Sequence, residues 1–241
     1  KMTLFQILSC LQKEMEQSDF VPTDFELQIG RGKPVDAFET VSPGGSHIWI
    51  EGRIDRVDTY VKNGVKYFRV IDYKTGTKEF KLSDLYYGIN MQMLIYLFSI
   101  WNTKNGKYKN SLPAGILYLP AKRIEPELSR EDTEEAVSLQ AVKAYKMNGL
   151  VLDDEEIVRA MEQQVSGIFI PAKLLAKEKV IEENGEKKVQ KFDLRYSSLI
   201  SLAQLGELER YTEKLLGDMA EELHRGEIAA LPLAEGDTVP C

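Results

Sequence analysis

The dipeptide Asn63-Gly64 constrains this chain more than any other feature. A type I′ turn needs positive φ at both central residues, and Asn-Gly adopts it readily. The flanking runs, His47 to Val61 and Val65 to Tyr73, are rich in Val, Ile, Tyr and Phe and read as the strands of a hairpin. With a two-residue loop Lys62 pairs with Val65, and every opposed pair has numbers that add to 127. Asp55 and Asp72 then face each other on one side of the hairpin, with Cβ atoms about 4.5–5.5 Å apart. Arg53 faces Lys74 one step along.

Two ionised carboxylates at that distance repel. Three things could offset the repulsion: a shared proton, a cation from Lys74 or Arg53, or a divalent metal. Mg²⁺ suits such a place, because it takes one or two carboxylates and fills its shell with water and substrate phosphate. Lys74 points the same way as Asp72, since strand side chains repeat every two residues. Two acids, a lysine and a metal-bound water are the parts needed to hydrolyse a phosphodiester. The lysine would orient or deprotonate the nucleophile, or stabilise developing charge. A surface hairpin with an Asp72–Arg53 ion pair stands as the bland alternative, and a β-bulge would shift the register.

Elsewhere, Leu4 to Glu16 has the apolar spacing of an amphipathic helix, ended by Pro22. "FELQIG", Phe25 to Gly30, alternates as a strand, and Gly30 to Gly45 reads as loop. Ser83 to Trp101 is expected to be one helix, capped by Ser83. "GILYLPA", Gly115 to Ala121, reads as a further strand. Leu128 to Lys143 is expected to be loop plus helix, and Asp153 to Gln164 a short helix. A charged hairpin should turn at Asn184-Gly185, and Ser198 to Gly226 should form a long amphipathic helix. These elements predict one α/β domain over residues 1–241, a mixed sheet flanked by helices. Its core would span about 20–125, with helical and hairpin additions at 126–230 and a tail at 231–241.

The net charge of −7 argues against a protein that merely coats nucleic acid, though not against an enzyme with one basic groove. No apolar run approaches the roughly 18–20 residues of a membrane span, so no membrane partner is expected. Two cysteines at opposite ends, Cys10 and Cys241, speak against a disulfide framework and for a cytoplasmic, reducing location. A start at Lys1 with no cleavage site suggests a piece of a longer chain.

"GRIDRVD", "VIDYKTG" and the helical "QMLIY" together resemble the RecB-like branch of the PD-(D/E)XK nucleases. An acid on one strand, Asp-x-Lys on the next and Gln-x-x-x-Tyr on the following helix are specific in combination. "DYKTGTKEFKLSDLYYGINMQMLIYL" resembles, within that branch, the C-terminal nuclease domain of the AddB family, as do "KMNGLVLDDEEIVRAM" and the closing "GEIAALPLAEGDTVPC". The resemblance implies a restriction-endonuclease-like fold. It also implies a Mg²⁺-dependent exodeoxyribonuclease (Mn²⁺ as the substitute) that cuts single-stranded DNA during helicase-coupled processing of broken ends for recombinational repair. An AddA-type helicase-nuclease subunit would be the partner. The alternative from another class is a catalytically silent DNA-binding or subunit-docking module.

Residue by residue, the resemblance makes Asp55 and Asp72 the metal-binding acids and Lys74 the catalytic lysine. It places Gln92 and Tyr96 one helical turn apart, facing the site. Glu26 is the nearest candidate for a further metal-binding acid, with Glu14 and Glu16 behind it. Arg53, Arg56 and Lys78 are the candidates for contacts to DNA. The AddB family also implies a [4Fe–4S] cluster on four cysteines. Only Cys241 stands where the C-terminal group would begin, so no cluster is expected on these 241 residues, which hold two of the four thiolates needed.

Overall fold

The computed structural model describes residues 2–76, 80–122, 124, 133–183 and 185–229. A six-stranded sheet is built from β1 (Val21–Ile29), β4 (Gly52–Lys62), β5 (Val65–Lys74), β6 (Leu112–Pro120), β7 (Asn148–Leu152) and β10 (Leu199–Ile200), in the order β1-β4-β5-β6-β7-β10. β1 and β4 pair antiparallel, as do β4 and β5; β6 joins β5 in parallel, β7 pairs antiparallel with β6, and β10 closes the edge in parallel with β7. The sheet is therefore mixed and flanked by helices, consistent with a restriction-endonuclease-like fold.

The Asn63-Gly64 turn behaves as its chemistry requires, with φ of 51° and 78°. It fixes seven rungs from Lys62↔Val65 to Arg56↔Ile71, each adding to 127. Alternation then sends Val57, Phe68 and Val70 to one face and Ile71 to the other. On the first face lie α3 (Gln92–Asn102) and α6 (Leu202–His224), whose apolar residues complete the larger core. Against the second lie α1 (Met2–Glu16), through Ile7 and Leu11, and α5 (Glu155–Met161). α6 begins with a reciprocal cap: Gln204 N donates to Ser201 Oγ at 3.2 Å and Ser201 N to Gln204 Oε1 at 2.9 Å. Among the described residues no helix is long and apolar enough to cross a membrane.

Several elements depart from the sequence reading. The helix expected from Ser83 to Trp101 is two helices, α2 (Leu82–Tyr86) and α3, because Gly88 and Asn90 take left-handed φ of 71° and 62° between them. Ser83 lies inside α2 and caps nothing; Lys81 occupies the N-cap without a side-chain bond. The first hairpin strand breaks at Glu51. Its beginning is β3 (His47–Ile50), which pairs as a separate ribbon with β2 (Phe38–Val41), a strand inside the expected loop. β7 and β10 are strands that the sequence reading did not separate. α4 (Glu134–Lys143) is the helix expected after Leu128. β8 (Leu174–Glu183) and β9 (Glu186–Phe192) form the charged hairpin; Asn184 of its turn lies outside the described residues.

Candidate active site

Asp72 sits near the end of β5, 6% exposed, paired in register with Tyr118 of β6. Tyr118 pairs in turn with Asn148 of β7. Three strands thus carry Asp72, Tyr118 and Asn148 in one row. Lys74 follows two residues after Asp72, its Nζ 2.5 Å from Asp72 Oδ2 and 5.4 Å from the centre of the Tyr118 ring. The approach lacks hydrogen-bond geometry, and Oδ2 is a buried oxygen that accepts no hydrogen bond. Burial first, and then the charge of Asp72, push the Tyr118 hydroxyl up to about 12.

Asp55 lies one residue beyond the last regular rung, Arg56↔Ile71. There the ladder opens, and Asp55 Oδ2 accepts the backbone N–H of Tyr73 at 3.0 Å. The carboxylate takes the place of a strand carbonyl. That bond ties Asp55 to the backbone between Asp72 and Lys74, so the three groups share one corner of the sheet.

The α3 helix packs on β5 and β6. Gln92 Nε2 donates to the Tyr96 hydroxyl at 3.0 Å, the i, i+4 contact that helix geometry allows. Tyr96 packs against Gly52 at the start of β4, where any Cβ would stand 2.7 Å from the ring.

The other site candidates are placed differently. Glu26 takes a left-handed φ of 54°, which breaks the alternation of β1, and its carboxylate meets Arg53 at 2.6 Å. Among the described residues no three His, Cys, Asp or Glu side chains converge as a metal cage, so Glu26 does not join the pair. Arg53 is therefore matched with Glu26 and not set opposite Lys74 as the register suggested. Arg56 is corrected as a phosphate contact: it is 1% exposed, with Nε 2.6 Å from Asp58 Oδ1. Burial works against its charge, but the hydrogen bond and charge of Asp58 outweigh it and hold the guanidinium firmly protonated. Asp58, Arg69 and Glu14 complete this buried network, with Arg69 Nη2 2.6 Å from Glu14 Oε1. Glu14 is thus spent on the reverse face, and Glu16 accepts from Gln12 on the outside of α1. Lys78 and Cys241 lie outside the described residues.

Sequence reasoning missed Tyr118, Asn148 and Gly52. The first two come from strand pairings no local turn announces. Gly52 carried a signal, a glycine opening a strand otherwise rich in branched residues.

The chain belongs to the PD-(D/E)XK nuclease superfamily, whose model matches residues 3–241. It is similar to proteins named as one of the subunits of an ATP-dependent helicase/deoxyribonuclease. That of Ruminiclostridium cellulolyticum is 32% identical over 240 residues, covering 96% of this chain and 19% of the relative. That of Clostridium perfringens (strain 13) is 31% identical over 249 residues, covering 100% and 20%. That of Thermoanaerobacter sp. (strain X514) is 29% identical over 236 residues, covering 96% and 19%. The chain spans about a fifth of the length of these relatives.

Proposed function

We propose that residues 1–241 form the nuclease domain of a helicase-nuclease subunit. It hydrolyses phosphodiester bonds of single-stranded DNA, as an exonuclease, while broken ends are processed for recombination. A helicase-nuclease protein of the AddA type is the partner that delivers the strand. The observation that carries this reading is Asp72 Oδ2: a buried carboxylate oxygen with no hydrogen bond, next to a lysine, with a second acid bonded to the backbone of the residue that follows it.

A hard cation suits that oxygen. Asp72 and Asp55 would hold Mg²⁺, or Mn²⁺, with water and phosphate oxygens filling the shell. When bound, the metal lowers the pKa of a water and neutralises phosphate charge. The protein does the rest. Asp55 is fixed by the Tyr73 N–H, which ties its carboxylate to the backbone between Asp72 and Lys74. Lys74, over the Tyr118 ring, donates to a phosphate oxygen as negative charge grows there. Water oxygen bonds to phosphorus, one P–O ester bond breaks, and the departing sugar oxygen gains a proton. Gln92 and Tyr96 hold the sugar–phosphate chain against α3.

A labelled single strand tests this. Cutting is expected with Mg²⁺ or Mn²⁺ and lost in Asp72→Ala and Lys74→Ala with the circular dichroism unchanged. Binding without cutting under either metal would instead mark a silent DNA-binding module.

A further inference from the structure

A second cavity, of about 420 Å³, lies between the β2–β3 ribbon and the C-terminal half of α3. That is within the roughly 300–1,000 Å³ of small-ligand sites. Its wall carries Trp49, which is 43% exposed although tryptophan is a residue folding usually buries. Two groups neighbour the indole and leave part of it open to solvent. The His47 ring stacks on it with centroids 5.7 Å apart and 19° between planes, and the Arg31 guanidinium carbon lies 4.9 Å over it.

The charge of the groove says which part of a nucleotide it takes. Arg31 and Lys104 bring cations, but Asp36 and Glu39 also line it. Asp36 accepts from Thr103 Oγ1 at 3.2 Å and from the Lys104 backbone, while Glu39 meets His47 Nδ1 at 2.9 Å. A nearly balanced interior with an aromatic wall and Asn102 suits a base and offers no net attraction to a phosphate. Lys104 is left for the chain outside, while Arg31 is shared with Glu51, its Nε 3.8 Å from Glu51 Oε1.

The groove also shares a helix with Gln92. Gln92, Tyr96 and Ser99 stand at i, i+4 and i+7 on α3, so they share a face, and Ser99 lines the groove. Helical rise puts Ser99 about 10 Å and Asn102 about 15 Å from Gln92 along the axis. The Tyr96–Gly52 contact fixes the β3–β4 junction to the same helix.

We propose that this groove is a base-binding subsite for the single strand: one base stacks on Trp49 while its backbone passes Arg31 and Lys104 toward Gln92 and the two acids. The subsite rests on the nuclease reading and adds the surface that holds the strand beside the cut. Base–aromatic stacking tolerates sequence because every base has a π-face, so grip without base choice is the result.

The chain has two tryptophans, so Trp101→Phe leaves Trp49 as the sole indole. This variant is titrated with a mixed-sequence single-stranded oligonucleotide in EDTA, with binding followed in parallel by anisotropy of a labelled strand. Saturable quenching of Trp49 emission is expected. Trp49→Ala should weaken binding roughly 5- to 150-fold, the range that the loss of one stacked base gives. Trp49→Phe, which keeps a ring, should stay within a few-fold of the parent. Emission that does not change as DNA is added, or unaltered binding by Trp49→Ala, overturns the subsite. Cutting assays separate the two readings. DNA cut in an Asp72-dependent way with a silent Trp49 sinks the subsite alone. A responsive Trp49 on a protein that cuts nothing in Mg²⁺ or Mn²⁺ sinks the nuclease reading alone.

Discussion

The Tyr96 ring lies so close to Gly52 that a methyl group on that glycine would stand 2.7 Å from ring carbon Cε1 and 2.9 Å from the hydroxyl oxygen. The ring is held in a buried helix, and its hydroxyl accepts from Gln92. Gly52→Ala must therefore push Tyr96 away and break that bond. Overpacking of this kind costs about 1–3 kcal/mol. A displacement near 1 Å at a positioning group can cost on the order of 10²-fold in rate. The expected outcome is a large fall in kcat/KM on single-stranded DNA with a modest fall in Tm. Full activity in Gly52→Ala would remove Tyr96 from the positioning machinery.

Lys74→Ala deprives a buried carboxylate of its cation. Without divalent metal the variant should lose about 1–3 kcal/mol, the cost of a buried group left unsatisfied. Added Mg²⁺ should then raise its Tm by more than it raises that of the parent, because ligand binding to the native state stabilises it by mass action and no ammonium competes. Differential scanning calorimetry with and without millimolar Mg²⁺ reads this directly. Equal shifts in both proteins would mean that Asp72 does not meet the cation.

Alkaline stability follows from Tyr118. Its hydroxyl is raised to about 12 by burial and by Asp72, against about 10 in an unfolded chain. Between those values the native state keeps a proton that the unfolded state has lost. The stabilisation is complete below about pH 10 and disappears as pH rises toward 12, amounting to about 2–3 kcal/mol. Tyr108, raised by burial and its bond to Asp24, adds a loss in the same direction. Tyr118→Phe should therefore flatten the fall in urea-unfolding free energy above pH 10 without abolishing it. An unchanged slope would place the titration elsewhere.

Arg56→Met tests the reverse face of the sheet. Arg56, Asp58, Arg69 and Glu14 are between 0 and 3% exposed, and removing one cation leaves a buried carboxylate short of its partner. Such breaks cost about 3–5 kcal/mol. Urea unfolding should show a loss of that size. A loss below about 1 kcal/mol would mean that water reaches the network.

What could be read in advance was what a few neighbouring residues settle between themselves. Asn63-Gly64 fixed its own turn and with it seven rungs. The split at Gly88 and Asn90 was hidden because a continuous apolar pattern outweighs two turn residues in a helical count. Arg56 was legible in part: a residue next to Asp55 on a strand must point to the opposite face, where Asp58 also points. Its closeness to the motif acid in sequence suggested a phosphate contact that strand alternation rules out.

The sequence alone determined the hairpin register down to Arg56↔Ile71, the side on which Lys74 emerges, and the helical face shared by Gln92 and Tyr96. Each depends on dihedral preferences acting over a few residues. Only the tertiary structure decided that Tyr118 and Asn148 extend the row, that Glu26 turns to Arg53, and that Trp49 is left facing a groove along α3. Those outcomes depend on parallel pairing and packing between segments far apart in the chain, whose free energy is realised only when the whole sheet has formed.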